Sequence, residues 1–212
     1  MKRHITVAIT GASGAIYGVR LIEELLAAGN RVSLLISSSG RIVLKEELGL
    51  DWSGDEDAMN RAVRSHFKAD SDSLTYYHES NFFSPLASGS AAPDAMIIAP
   101  CSMGTLARIA AGLSGNLLER AADVMLKEGK PLLLLPRETP LSAIHLENML
   151  KLARLGVRII PPMPGFYSHP QTIDDIVNFV VGKMLDQLGI EGNLFTRWQN
   201  KDHAVMYSVD NE

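Results

Sequence analysis

The strongest constraint on the fold is the order strand, turn, helix, strand at the start of the chain. The run from His4 to Thr10 is apolar and β-branched, which predicts a buried strand. An amphipathic segment from Ala15 to Ala28 follows and ends at Gly29, a residue type that suits the position after a helix. A second strand is predicted from Arg31 to Ile36. This order predicts a parallel sheet with right-handed crossovers.

The same alternation resumes further along, after a region with a weaker pattern. In that region we expect a helix over 55–67, a short strand over 74–77 and a long loop over 82–93. A loop of this length inside a compact domain favours a binding role. The segment 37–40 is also expected to be a loop. Further strands are predicted over 95–99, 131–135 and 157–160, and further helices over 41–48, 102–111, 116–128, 142–155 and 172–188.

These elements together predict an α/β fold with a doubly wound, mainly parallel sheet. Five strands with helices on both faces are typical of a flavodoxin-like or Rossmann-like three-layer sandwich. With 212 residues, the chain is expected to form a single domain over 1–212, with a polar tail from about residue 190.

Composition excludes several classes of function. With 20 Lys and Arg against 24 Asp and Glu, the net charge of −4 argues against a nucleic-acid partner. No apolar run approaches the ~18–20 residues of a membrane span, and the start does not resemble a signal peptide, so a cytoplasmic location is expected. Cys101 is the lone cysteine, and the 6 histidines show no ligand spacing, so we expect no metal site and a packed thiol.

Small or hydroxyl-bearing residues follow three of the predicted strands, where sheets of this class bind ligands. They are the segment 11–14, the segment 37–40, and Ser102 with Thr105. Each serine alone is explained by a helix cap, and the glycines alone by a tight turn. Three such loops at one sheet edge nevertheless favour a ligand that carries a phosphate, because the N–H groups of a helix N-terminus attract anions.

Charged residues add to this pattern at two further places. Arg137 and Glu138 follow a buried strand between two prolines, where an arginine can bind phosphate and a carboxylate can move protons. The alternative for these two residues is a surface ion pair. Arg120 and Lys127 lie seven residues apart on one face of a predicted helix. A solvated helix with Glu119 and Asp123 as counter-charges is the alternative there.

Five segments carry a family resemblance that covers roughly residues 3–200. They are TGASGA over 10–15, ASGS over 87–90, PCSM over 100–103, RAADVMLKE over 120–128 and PRETPL over 136–141. With these segments the chain resembles the flavin prenyltransferases, UbiX-like enzymes formerly described as aromatic-acid or 3-polyprenyl-4-hydroxybenzoate decarboxylases. The last two segments in combination are far more specific than any glycine pattern.

The resemblance implies a metal-independent transferase. Such enzymes attach a dimethylallyl group, usually from dimethylallyl phosphate, to reduced FMN at N5 and C6, and a UbiD-like decarboxylase receives the prenylated FMN. The resemblance also implies a homo-oligomer, often a dodecamer, that binds FMN at a subunit interface. Whether the donor is a mono- or a diphosphate stays open.

The resemblance also implies roles for particular residues. Ser13 would lie near the reacting flavin nitrogen, Glu47 would handle protons, and Glu138 would protonate or polarise the leaving phosphate. Together with Lys127 these are the predicted catalytic residues. The phosphate would be held by Arg120, Lys127, Tyr167 and Lys183. The flavin would be lined by Gly11, Ala12, Ser13, Ser37, Ser88, Ser102, Met103, Gly104, Thr105 and Arg137.

The chain departs from the family pattern at a few positions. Relatives commonly have Trp where Phe82 stands, often Arg in place of Lys183, and in some cases Lys in place of Gly104. Phe82, Phe83 and Trp198 are candidates for an aromatic wall beside the allylic group. Lys183 keeps the charge of an arginine but loses its bidentate geometry.

Two other functions remain as alternatives. A flavin-dependent cysteine decarboxylase would share the fold, but those enzymes carry an early catalytic His and a Pro-x-Ala-x-Asn-Thr motif, whereas this chain has PCSMGT over 100–105. A non-catalytic FMN-binding subunit is the second alternative, and the presence of Glu47, Lys127 and Glu138 argues against it.

Overall fold

The computed structural model describes residues 2–197, which form a six-stranded parallel sheet and seven α-helices. The strands are β1 (His4–Ile9), β2 (Arg31–Ile36), β3 (Leu74–Tyr77), β4 (Ala95–Cys101), β5 (Leu132–Pro136) and β6 (Arg158–Ile159). The helices are α1 (Ala15–Ala27), α2 (Ser38–Leu48), α3 (Glu56–Phe67), α4 (Met103–Ala110), α5 (Leu117–Lys127), α6 (Ala143–Arg154) and α7 (Ile173–Leu188).

The strand order is β3-β2-β1-β4-β5-β6, and all five neighbouring pairs are parallel. The chain therefore winds outward in both directions from the pair β1 and β4, which makes this pair the switch point of a doubly wound sheet. The predicted flavodoxin-like or Rossmann-like α/β class is confirmed. The short strand expected over 74–77 is present as β3. The sheet therefore has six strands, one more than the five-stranded sheet that was predicted.

Alternation along the strands builds a core on each side of the sheet. One core joins the strands to α4, α5 and α6, through residues such as Ala8, Ile98, Leu106, Leu118 and Leu152. On the other side Ile9 packs against Gly18 of α1, where an added Cβ would collide with the Ala99 carbonyl. Each fully buried Leu or Ile in these layers contributes about 1.5–3 kcal/mol to folding.

The segment 37–40 is not a loop, so this expectation was wrong. Ser37 is the N-cap of α2, and its Oγ accepts the N–H of Gly40 at 3.0 Å. Gly40 lies in the first turn of the helix, where a Cβ would lie only 2.5 Å from the Ile9 carbonyl oxygen. The glycine that indicated a loop is required instead by close packing of the helix on β1.

The residues fall into two compact units that divide after Pro162. The first unit holds the whole sheet and α1 to α6, and the second holds a 3₁₀ turn (Phe166–Ser168) and α7. The expectation of one domain over 1–212 stays a prediction. None of the helices within residues 2–197 combines the length and the apolar character that crossing a bilayer requires.

His4, the first residue of β1, forms two side-chain hydrogen bonds at the amino edge of the sheet. Its Nδ1 lies 2.8 Å from Arg31 Nη2, and its Nε2 lies 2.8 Å from Ser33 Oγ. Because a guanidinium only donates, Nδ1 accepts and the ring proton is on Nε2. Burial, and then the charge of Arg31, lower the pKa of His4 from 6.5 to about 4, against the opposing charge of Asp94.

This pKa shift predicts a specific loss of stability in mild acid. Between about pH 6.5 and pH 4 the unfolded chain protonates the His4 ring and the folded chain does not, so the free energy of unfolding falls as the pH falls. In thermal denaturation, wild type should lose more stability than His4→Gln between about pH 7 and pH 5. Equal losses in the two proteins would contradict the prediction.

Candidate functional site

Thr10 joins the two loops that meet at the switch point of the sheet. Its fully buried Oγ1 donates to the Pro100 carbonyl at 2.8 Å and accepts the N–H of Ser102 at 2.8 Å. Its own N–H donates to the same carbonyl at 3.2 Å. One side chain therefore fixes the end of β1 against the end of β4, and with them two of the loops that were predicted to line the flavin.

Glu47 belongs to α2 but lies against the turn that follows β1. Its carboxylate accepts the N–H of Gly14 at 2.9 and 3.2 Å and the N–H of Ala15 at 3.0 Å. The N-terminus of α1 attracts an anion because its N–H groups lack partners within the helix, and here that anion is a carboxylate of the chain itself. These N–H groups are therefore engaged by Glu47, which comes to lie beside Ser13.

Arg137 connects a third loop to the first two. Its Nε donates to the carbonyl of Ser13 at 3.1 Å, and its backbone N–H donates to the Cys101 carbonyl at 3.3 Å. The ends of β1, β4 and β5 are thus linked by hydrogen bonds. Of the predicted residues, this edge brings together Gly11, Ala12, Ser13, Ser37, Glu47, Ser102, Met103, Gly104, Thr105, Arg137 and Glu138.

The N-terminus of α4 offers unpaired donors at this edge. Ser102 caps the helix: its Oγ accepts the Thr105 N–H at 3.2 Å and donates to Thr105 Oγ1 at 3.0 Å. Within residues 2–197, the N–H groups of Met103 and Gly104 have no acceptor. A Cβ added at Gly104 would meet nothing within 4 Å, so the space beside these donors is open. Ser37 and Ser102 both prove to be helix caps, the simpler of the two explanations given by the sequence.

A second group of predicted residues lies on α5 and the segment 85–91. Arg120 donates from Nε to the Ala87 carbonyl at 3.1 Å and pairs with Asp123 at 2.7 Å. Lys127 pairs with Glu128 at 2.5 Å, and this hydrogen bond and charge lower the pKa of the Glu128 carboxyl. Both cations are therefore balanced by an acidic neighbour on or next to the same helix.

The segment 85–91 brings Ser88 to the same place. Its Oγ lies 2.9 Å from Ser90 Oγ. Between these serines, a Cβ at Gly89 would lie 2.7 Å from Lys127 Nζ. Ser88, Arg120 and Lys127 therefore form one group, which we call the α5 cluster.

Lys127 lies at the opposite edge of the sheet from Ser13. α5 begins at the carboxyl edge, where the Leu117 N–H donates to the Glu79 carbonyl just beyond β3. With 11 residues the helix is about 16 Å long, and it ends shortly before Leu132, the first residue of β5. A single copy of the chain therefore does not bring Lys127 to Ser13 and Glu47.

Tyr167 and Lys183 both belong to the second unit, where they contact the same ring. Tyr167 packs edge-on against Phe179, with 5.8 Å between ring centroids. The Lys183 ammonium lies 5.5 Å from the Phe179 centroid and 5.0 Å from that of Phe195. This unit thus places a phenol and an ammonium against the same aromatic cluster.

The remaining candidates are simpler. Glu138 is exposed and accepts the N–H of Thr139 at 3.1 Å. Phe82 and Phe83 are exposed, by 45% and 102% of their surface, and Trp198 lies outside the described residues. Cys101 is fully buried, which raises the pKa of its thiol, so the expected packed cysteine is confirmed. No group of potential metal ligands occurs within residues 2–197.

Sequence reasoning missed three features of this site. The bridging role of Thr10 depends on a long-range contact that no local pattern reveals. The pairing of Lys127 with Glu128 was not foreseen, although the two are adjacent in sequence. Glu119, expected as a counter-charge for Arg120, is buried and pairs with Arg108 instead.

Known proteins are similar to this chain over most of its length. A family profile described as Flavoprotein matches residues 1–185. The flavin prenyltransferase UbiX of Halalkalibacterium halodurans is 54% identical over 193 residues, which cover 91% of this chain and 92% of that protein. The chain belongs to the flavin prenyltransferase family.

Solved structures of this family have the same fold. A dodecameric FMN-dependent UbiX-like decarboxylase from Escherichia coli O157:H7 is 43% identical, with a TM-score of 0.80, covering 92% of this chain and 99% of that one. AnUbiX (PadA1), in complex with FMN and dimethylallyl pyrophosphate, is 37% identical, with a TM-score of 0.81, covering 93% and 98%. None of these three relatives is named as a cysteine decarboxylase.

The buried hydroxyl of Thr10 predicts a measurable cost of its removal. Thr10→Val keeps the shape but leaves the Pro100 carbonyl and the Ser102 N–H without this partner, so the free energy of unfolding should fall by about 1–3 kcal/mol. Urea denaturation measures the change. Thr10→Ser, which retains the hydroxyl, is the control, and an equal loss in both variants would contradict the assigned role.

Proposed function

We propose that this chain transfers a dimethylallyl group from dimethylallyl phosphate to reduced FMN, and that a UbiD-like decarboxylase receives the prenylated FMN. The observation that carries the proposal most directly is the convergence of Ser13, Glu47 and Arg137 at one edge of the sheet. The relative that is named in complex with FMN and dimethylallyl pyrophosphate supports FMN and a dimethylallyl donor as the substrates.

The carboxyl edge fits FMN in two respects. The unpaired N–H groups of Met103 and Gly104 face open space at a helix N-terminus, which suits the flavin phosphate. The small residues over 11–13 allow close approach of a planar ring, and Arg137 lies at the same loop through its hydrogen bond to Ser13. We infer that these residues hold the flavin together with Ser37, Ser102 and Thr105, and that Ser88 of the α5 cluster reaches it from another copy of the chain.

Bound reduced FMN supplies the nucleophilic N5 and C6 atoms to which the allylic carbons are joined. Ser13 is positioned by the Arg137 hydrogen bond to its carbonyl, and within residues 2–197 its hydroxyl has no hydrogen bond, which leaves it for the flavin. Glu47 is held on the Gly14 and Ala15 N–H groups beside it. In this proposal the Glu47 carboxylate accepts the proton that must leave when the ring closes at C6.

The leaving group requires cations. When the allylic C–O bond breaks, the phosphate keeps the electron pair, and basic groups stabilise its charge. Arg120 and Lys127 supply that charge, and the phosphate contacts of Tyr167 and Lys183, which belong to the second unit, stay predictions. Glu138, in its protonated form, gives a proton to the phosphate oxygen.

Because Lys127 lies at the far edge of the sheet from Ser13, we propose that two copies of the chain complete each site. One copy contributes the carboxyl edge, and another contributes the α5 cluster. A homo-oligomer is therefore part of the mechanism. We propose a dodecamer, which the dodecamer named for the Escherichia coli relative supports. A cytoplasmic location is likewise proposed.

The direct test is the mass of the flavin after incubation with FMN, a reductant and dimethylallyl phosphate. An adduct of one isoprenyl unit is expected. Bound FMN that never gains this mass would overturn the transferase and favour a non-catalytic FMN-binding subunit. Running dimethylallyl diphosphate in parallel decides which donor is used.

Glu138→Gln should slow formation of the adduct by about 10²-fold or more, because general acid catalysis contributes about 10²–10⁴-fold. FMN should remain bound. Glu147→Gln, on the exposed part of α6, is the matched control and should react like wild type. If the Glu138 variant lost FMN instead, the residue would have a structural role.

Gly104→Ala separates FMN binding from folding. The added methyl group meets no protein atom and favours a helix, so the melting temperature should not fall. It would fill space beside the proposed phosphate site, so the dissociation constant for FMN should rise. Fluorescence titration measures the dissociation constant. An unchanged affinity would show that the flavin phosphate does not bind at the N-terminus of α4.

A further inference from the structure

A cavity of about 420 Å³ lies on the part of the sheet formed by β1, β2 and β3. Its lining includes the first residues of β1 and β2, His4 and Arg31, and the last residue of β3, Tyr77. Segment 85–91 closes one side with Pro85 and Ala91. The polar residues that matter for its chemistry are His4, Arg31, Ser33, Asp72 and Tyr77.

A chain of hydrogen bonds orients the donors of this cavity. Arg31 donates to His4 Nδ1 at 2.8 Å, and His4 Nε2 in turn donates to Ser33 Oγ at 2.8 Å. The Ser33 hydroxyl then keeps its own proton for another acceptor, and the guanidinium keeps further N–H donors.

Opposite charges line this cavity without pairing to each other. Across the part of the chain that the structure describes, neither Arg31 nor Asp72 forms an ion pair within 4.0 Å. The Tyr77 hydroxyl lies near Arg31. Burial raises the pKa of this phenol, and the charge of Arg31 acts in the opposite direction. The lining thus holds a guanidinium, hydroxyl groups and a carboxylate, a set of groups complementary to a molecule that carries both charges.

We propose that this cavity binds a small zwitterion of the α-amino-acid type. Its carboxylate would lie on Arg31 and Tyr77, and its ammonium on Asp72. Pro85 and Ala91 offer an apolar surface for a short aliphatic side chain. The site shares no residue with the proposed FMN and phosphate sites and does not depend on them.

Isothermal titration of the full chain with three probes tests this proposal. L-leucine carries both charges, L-leucinamide lacks the carboxylate and N-acetyl-L-leucine lacks the ammonium. L-leucine should bind, and each of the other two should bind at least about tenfold more weakly, since a charge-assisted contact is lost. Equal binding of either analogue, or no binding of L-leucine, overturns the proposal.

Variants locate the binding. Arg31→Gln, Asp72→Asn and Tyr77→Phe should each weaken L-leucine binding, whereas Arg61→Gln, on the exposed part of α3, should not. Tyr77→Phe removes only the phenol hydroxyl and keeps the ring. This variant therefore still tests the proposal if Arg31→Gln or Asp72→Asn fails to fold. Undiminished binding by all three cavity variants overturns the site. These titrations omit reductant and dimethylallyl phosphate, so a failed prenyl transfer leaves them unaffected.

Discussion

The buried hydroxyl of Thr10 is the contact on which the carboxyl edge depends. It bonds to two backbone groups at the end of β4, the Pro100 carbonyl and the Ser102 N–H that follows the strand. The Ser102 cap sets the start of α4, and Arg137 extends the connection from β5 to the carbonyl of Ser13. Buried polar groups are costly unless paired, so these bonds favour one arrangement of the three loops over others.

Charge is distributed to suit a small anion, although the whole chain is acidic. Arg120 and Lys127 are each paired with a carboxylate, Asp123 and Glu128, in partly exposed positions. Pairs of this kind contribute about 0–1 kcal/mol, so a phosphate dianion can compete for the cations at little cost. Glu47 is different, because two backbone N–H groups hold its carboxylate in place. The ion pairs of Arg120 and Lys127 are adaptable and the Glu47 contact is fixed, as the proposed phosphate site and the proposed proton acceptor respectively require.

The fold was largely predictable because most strands can be recognised from local residue patterns. Apolar β-branched runs such as His4 to Thr10 and glycines after helices mark the elements without any tertiary information. Gly40 was misread because its reason is tertiary: it packs against the Ile9 carbonyl inside a helix. The same limit applies to Thr10, whose partners are 90 residues away in sequence. Local patterns cannot report such contacts.

The candidate site was predicted in part, through loops at strand ends and through the RETP and RAADVMLKE segments. Spacing could place Arg120 and Lys127 on one helix face, but could not place Lys127 at the edge opposite Ser13, because that depends on the direction of α5 along the sheet. Pairing of charges was also only half predictable. Asp123 is a helix neighbour of Arg120, whereas Glu119 turns inward to Arg108.

Complementation between two defective variants tests most directly whether two copies form each site. Glu47→Gln and Lys127→Gln should each be nearly inactive alone. Co-expressed in equal amounts, they should recover about a quarter of wild-type prenyl transfer, because about a quarter of the sites then combine an intact Glu47 with an intact Lys127. Activity no greater than the average of the two separate variants, in an oligomer shown to contain both, would contradict the account.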